Sequence, residues 1–217
     1  MARKQEIAKR IQALVDSNYI DAETGHYIGS SFVEVNELFR KSILKVELDK
    51  KIKSCHACKG LNQPEHTENA CGYGNLNANI FFVGQSLGAP NMATQIPFTE
   101  GSGYMLDAVL WLLNMERNDV FMSNIVHCHP RNNRASKPRE VRNCLRYIIE
   151  EIFIVHPKVL VCLGASARDN VKVIIRKMQW DWINVINVKH PSAFHYTGSK
   201  FMKDWIVNLS MELEEYV

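Results

Sequence analysis

The chain has no uninterrupted apolar run near the ~18–20 residues that a membrane-spanning helix needs, so it offers no candidate for one. Charge of one sign is also scarce. Twenty-six Lys and Arg stand against 23 Asp and Glu, a net +3 at pH 7. That permits a nucleic-acid partner without demanding one, because a binding groove needs only a local cluster of cations. There is no internal repeat and no low-complexity tract. The opening Met1-Ala2-Arg3-Lys4-Gln5 leads into a mixed charged stretch with no apolar signal core, and an intracellular protein is expected from it. In a reducing compartment the six cysteines argue against a disulfide framework, and thiolates that bind a metal are the better reading. What is present is ordinary: 217 residues, 46% hydrophobic and 23% charged, enough for one domain with an appendage.

Residues 2–17 carry Ile7, Ile11, Leu14 and Val15 on one helical face, and Thr24-Gly25 breaks the pattern. A second helix is expected from Ser31, an N-cap with Glu34 three residues on. Residues 1–50 thus read as a helical extension ahead of a domain at 51–217. Residues 59–78 read as a loop. Four apolar runs then alternate with helical patterns. Ile80–Val83, Val120–Met122, Lys158–Leu163 and Val185–Val188 are the strands; 102–115, 138–155 and a segment from Ala165 are the helices. Pro138 suits a first helical turn. The pattern predicts a three-layer α/β/α fold on a mostly parallel four-stranded sheet. The polar motifs fall just after strand ends, where such sheets bind ligands.

Four cysteines have metal-binding character. Cys55 and Cys58 form a C-x-x-C pair; Cys128 and Cys144 follow, with fifteen residues between them. Thiolates suit zinc or an iron–sulfur cluster. Zinc modules repeat short knuckles, whereas the split second pair favours a cluster that closes a long loop. Cys162 lies inside a strand and reads as core. Cys71 has no assigned role.

With these cysteines the remaining motifs resemble the family 4 uracil-DNA glycosylases. Gly72-Tyr73-Gly74-Asn75 is similar to that family's Gly-x-Gly-Asn, and Gly84-Gln85-Ser86-Leu87-Gly88 stands in the place of its Gly-Glu-x-Pro-Gly. Pro97-Phe98 matches its Pro-Phe. Asn124 to Pro130, followed by Asn133-Arg134, resembles its Asn-x-x-x-Cys-Arg-Pro. Leu163-Gly164-Ala165 and His190-Pro191-Ser192 follow in order. The resemblance covers roughly residues 51–205. It implies a [4Fe–4S] cluster on Cys55, Cys58, Cys128 and Cys144, uracil-containing DNA as partner, no membrane partner, a monomer, and an intracellular, nucleoid-associated repair enzyme.

Residue chemistry agrees with that expectation. Excision requires the base to leave the stack. Phe98 offers it an aromatic face. The amide of Asn124 offers one donor and one acceptor for uracil O4 and N3–H, and meets the wrong pattern on cytosine. His190 is suited to donate to uracil O2 as negative charge develops there. Gly84 and Ser86 complete the expected pocket. Arg131, Arg134, Lys137, Arg139 and Arg142 form a basic run suited to phosphates, and Ser192 is a further DNA-binding candidate. Phe194, in an expected exposed loop with His195 and Tyr196, is the candidate wedge for the gap left by the flipped base.

The departure from the family lies in its first motif. Gln85 replaces the family's Glu, and Asn91 stands where a further Glu is common, so the stretch Gly84–Pro97 has no carboxylate. Glu100 is the nearest acid. The catalytic candidates are therefore His190, Gln85 and Glu100, with weakened or altered excision expected. A catalytically inactive relative that binds uracil-containing DNA or a protein partner is the alternative, and a zinc-stapled nucleic-acid module is a third reading.

Overall fold

A computed structural model describes residues 32–194 and 199–217. The expected helix at 2–17, the break at Thr24-Gly25 and the Ser31 cap lie outside the described residues, as do His195 and Tyr196. The elements are α1 (Phe32–Lys53), β1 (Tyr73–Gly74), β2 (Ile80–Ser86), α2 (Tyr104–Leu112), β3 (Phe121–Val126), α3 (Pro138–Val155), β4 (Val159–Leu163), α4 (Ala165–Met178), β5 (Asn184–Val188) and α5 (Ser199–Leu213). From Ile43 onward the chain forms one compact unit that runs to Val217. Among the described residues no helix is long and apolar enough to cross a membrane.

The sheet has five strands, not four, in the order β1-β3-β2-β4-β5. β3, β2, β4 and β5 are parallel; β1 joins the edge antiparallel, Tyr73 opposite Met122 and Gly74 opposite Phe121. The extra strand falls in the stretch read from sequence as loop. Two residues carry no periodicity for a sequence to display, and contacts elsewhere fix this one. Glu151 accepts the Gly72 N–H at 2.8 Å. Gly74 has φ +128°, and a Cβ there would run into the Val120 carbonyl.

The central strands are apolar on both faces because helices cover both sides. The pleat sorts β2 in alternation. Phe81 and Val83 face a core shared with α3, α4 and the end of α1 through Ile148, Val171 and Ile52. Ile80 and Phe82 face the opposite core, built on α2 and α5 through Leu106, Val109 and Leu209. Each of β2 and β4 hydrogen-bonds the other across the point where the strand order reverses. The carboxyl ends of β2, β3, β4 and β5 therefore open onto one crevice.

Candidate functional site

That crevice is a cleft of about 600 Å³. Its walls are the β2 end and following turn (Gln85 to Gly88), the Phe98–Gly101 loop, Asn124 on β3, Leu163 to Ser166 at the start of α4, and His190 with Ser192 after β5. Of the residues singled out from sequence, Gln85, Ser86, Phe98, Glu100, Asn124, His190 and Ser192 border it together. Gly84 lies directly beneath. A Cβ on Gly84 would sit 2.5 Å from Asn124 Oδ1 and 2.7 Å from Phe98 Cζ, closer than side-chain atoms approach. Glycine at the strand end is what lets the amide and the ring meet.

The floor of the cleft is Asn124, 3% exposed. Its Oδ1 is buried and has no hydrogen-bond partner. Leaving a buried acceptor unpaired costs about 1–3 kcal/mol, so such an atom calls for an explanation. An N–H donor entering the cleft would supply one. The ring is 8% exposed and its residue has φ +61°, a left-handed conformation that side-chain-bearing residues rarely adopt.

His190 is half-buried on the opposite wall. Ser192 N–H donates to its Nδ1 at 3.1 Å, and the Ser192 hydroxyl lies 2.7 Å from the same nitrogen. A backbone N–H can only donate, so Nδ1 accepts and the neutral ring carries its proton on Nε2. Gly164, at φ +92°, brings the β4 turn under the ring, where a Cβ would lie 3.1 Å from His190 Cβ.

Glu100 is exposed and Gln85 half-buried. Among the described lining residues Glu100 is the one carboxylate. Buried Asn91 fixes its loop: the side-chain Oδ1 accepts from Glu100 N–H at 2.8 Å and Thr99 Oγ1 at 3.2 Å. Asn91 thus fills a positional role that its sequence context did not reveal. The first-motif turn is tied to the loop after β3 at two further points. Ala89 N–H donates to Asn133 Oδ1 at 3.1 Å, and His129 Nδ1–H donates to the Leu87 carbonyl at 2.9 Å.

The four singled-out cysteines border one small cavity, with Leu61, Val126, Glu140 and Asn143. Asn143 Nδ2 donates to Cys58 Sγ at 3.4 Å, and His127 N–H donates to Cys144 Sγ at 3.4 Å. Burial pushes the Cys128 thiol up to about 12, helped by the three neighbouring cysteines. Burial acts in the same direction on Cys55, but hydrogen bonds from Tyr147, the Ala57 backbone and Arg146 outweigh it and hold that thiol below its usual value. Among the described residues no three His, Cys, Asp or Glu side chains close around a single ion. Cys71 lies apart, its thiol 3.8 Å from the Asp49 carbonyl, and Cys162 is buried in β4.

The basic run divides. Arg131, Lys137, Arg139 and Arg142 are exposed. Arg134 is not available as a free cation, because its guanidinium grips Glu140 at 2.7 and 2.9 Å. Positive φ at Asn132 and Asn133 folds the chain back to make this pair. Glu140 also accepts the Lys137 N–H at 2.7 Å, which ties off the start of α3. Phe194 corrects an expectation. It is 8% exposed and sits in the α2/α5 core, its ring 6.2 Å from Trp205, so it is not an exposed loop aromatic. The cause is α5, which covers it from the C-terminal side and leaves no local mark in the sequence around Phe194.

The family model described as the uracil DNA glycosylase superfamily matches residues 71–214. A type-4 uracil-DNA glycosylase of Thermotoga maritima is 35% identical over 164 residues, which cover 70% of this chain and 83% of that protein. Those of Archaeoglobus fulgidus and Pyrobaculum aerophilum are each 34% identical, over 56% and 61% of this chain and 60% and 67% of theirs. The crystal structure of Pedobacter heparinus SMUG2 superposes with a TM-score of 0.50 at 10% identity, over 79% of this chain and 97% of that one, a likeness of fold.

Proposed function

The chain belongs to the type-4 uracil-DNA glycosylases of the uracil DNA glycosylase superfamily, and we propose that it hydrolyses the N-glycosidic bond of deoxyuridine in DNA, the opening step of base-excision repair. The observation that carries this reading is the unpaired, buried Oδ1 of Asn124 beside the Phe98 ring. Uracil flipped from the stack lies on Phe98. Its N3–H donates to Asn124 Oδ1, and its O4 accepts from the Asn124 amide N–H. Cytosine offers an acceptor at N3 and a donor at C4, so it meets this amide the wrong way round.

As the bond between C1′ and N1 breaks, the electron pair leaves with the base and positive charge gathers on the sugar. His190, its proton on Nε2, donates to uracil O2 and stabilises the departing anion. Gln85 orients a water on the far side of C1′. Glu100 supplies the negative charge that favours the sugar cation. Water's oxygen bonds to C1′, and its proton ends on the uracil. Gln85 is neutral and Glu100 sits on an exposed loop, so excision is slower than a buried first-motif carboxylate would give.

The cysteine donor set fits a [4Fe–4S] cluster on Cys55, Cys58, Cys128 and Cys144. Four thiols around one cavity, two of them accepting from Asn143 and His127 N–H groups, support it. On these four residues the cluster would be structural, tying the segment after α1 to the loop after β3 and to α3. Arg131 and Lys137 hold phosphates of the bound strand, with Ser192 on the cleft's other rim. Arg134 contributes indirectly by shaping that loop. The protein acts as an intracellular, nucleoid-associated monomer.

The test is a uracil-containing oligonucleotide incubated with purified protein, then cleaved by alkali at abasic sites and run on a gel. Strand cleavage at uracil alone is the expected result. Tight binding of the uracil strand with no cleavage overturns the hydrolytic reading.

A further inference from the structure

Phe98 poses a problem that the active-site reading leaves open. An aromatic residue at φ +61° is strained in its backbone and persists only where its surroundings impose that conformation. The ring also lies so close to Gly84 that little freedom remains for it to shift sideways. Something must hold the peptide in place.

The holder comes from the turn between α2 and β3. Arg117 Nη2 donates to the Phe98 carbonyl at 2.7 Å. Its Nε donates to Asp107 Oδ1, on α2, at 2.6 Å. The guanidinium is planar and its donors are fixed relative to one another, so anchoring Nε on α2 sets where Nη2 points. The Arg117 side chain is 21% exposed, and the bond is therefore partly shielded from water. On the other side, the Phe98 carbonyl packs so closely against Gly103 that any Cβ there would collide with it. The carbonyl is trapped between a glycine and a charged donor.

We infer that Arg117 is a positioning residue for base recognition: it holds Phe98 in the left-handed conformation that presents the ring to the flipped base. This rests on the reading of the cleft as a uracil site. Arg117 touches no substrate. Its effect passes entirely through Phe98, and a residue that merely braced the fold would not act in that way.

A double-mutant cycle separates the two roles. Arg117→Met and Arg117→Lys are made in the natural protein and in Phe98→Leu, which keeps an apolar side chain in the core but removes the aromatic face. Each is measured for single-turnover excision, for inhibition by free uracil, and for melting temperature. A charge-assisted hydrogen bond of this kind is worth about tenfold or more in equilibrium terms. Arg117→Met in the natural protein should therefore weaken both excision and uracil inhibition by about tenfold. In the Phe98→Leu background the same change should have less than about a twofold effect on either. Arg117→Lys should fall between, since one ammonium does not span both acceptors with fixed geometry. If Arg117→Met does not fold, Asp107→Asn removes the anchor from a more exposed position and is run through the same cycle.

Equal losses in both backgrounds, or uracil inhibition untouched by Arg117→Met, overturn the inference. If Phe98→Leu itself lowers uracil inhibition while Arg117→Met is additive, the cleft reading stands and the inference alone fails. If the natural protein neither excises uracil nor is inhibited by it, the cleft reading fails and the inference falls with it.

Discussion

Replacing Asn124 by Asp changes one atom type at the floor of the cleft and tests the base-reading argument in two ways. The residue is 3% exposed, so the new carboxyl group is almost fully removed from water. In its ionised form it presents two acceptors. Uracil O4 then loses its donor and faces a buried negative charge. An unsatisfied buried group costs about 1–3 kcal/mol, and an uncompensated buried charge about 3–5 kcal/mol. Uracil excision should fall by on the order of 10²–10⁴-fold at mildly alkaline pH, at about 1.4 kcal/mol per factor of ten. What activity remains should shift toward cytosine, whose exocyclic amine donates where uracil O4 accepts. Desolvation disfavours the charged form and raises the carboxyl pKa. Below that raised pKa the group is a neutral acid with one donor and one acceptor, the same pattern as the amide it replaced. The variant's uracil rate, relative to the natural protein at each pH, should therefore recover as pH falls. The assay is single-turnover cleavage of matched uracil and cytosine oligonucleotides across mildly acidic to mildly alkaline pH. Unchanged uracil excision at alkaline pH refutes the placement of Asn124 against the base. A relative rate that rises with pH refutes the electrostatic account of it.

Three further outcomes are expected. Gly84→Ala places a Cβ 2.5 Å from Asn124 Oδ1 and 2.7 Å from the Phe98 ring, so excision should drop by about a hundredfold while melting temperature falls only modestly; an active Gly84→Ala enzyme would show that amide and ring need not meet. Cys144→Ala should lower iron content, folded yield and melting temperature together, and a variant that keeps full iron and stability removes Cys144 from the ligand set. Gln85→Glu should raise excision and Glu100→Gln should lower it, because each changes the negative charge facing the sugar cation, by up to about a hundredfold; no gain from the first with complete loss from the second assigns the whole electrostatic role to Glu100.

The layered fold is legible in the sequence because burial on both faces of the sheet leaves a plain mark. Ile80–Val83 is apolar without alternation, and the structure sends its residues to two different cores. Pro138 marks the first turn of α3, which runs Pro138–Val155. β1 left no such mark. It consists of two residues, set in place by Glu151 from a helix far along the chain and by the room that Gly74 leaves for the Val120 carbonyl. Pairing imposed by distant side chains has no local signature. The same holds for Phe194, whose burial comes from Trp205 on a helix further along the chain.

Within the site, a sequence shows which groups are chemically able to act but not which of them are already engaged. Arg131 and Arg134 look alike in a basic run. One is exposed and the other is locked to Glu140 through a bend at two asparagines with positive φ. Arg117 stands 19 residues from Phe98, in a turn where an arginine would pass as a solvated charge, and its bond to the Phe98 carbonyl is visible only in three dimensions. Asn91 replaces an expected acid, yet it is buried and holds the one carboxylate-bearing loop of the cleft in place. That arrangement recasts the loss of charge at Gln85. In the proposed mechanism the first motif no longer carries the negative charge itself; through Asn91 it fixes the loop that bears Glu100. An acid on that exposed loop is better solvated than one at the strand end, and solvation weakens its field at the sugar. On the proposed mechanism a slower enzyme follows from moving the charge outward, with the proposed base-reading floor of Gly84, Asn124 and Phe98 left intact.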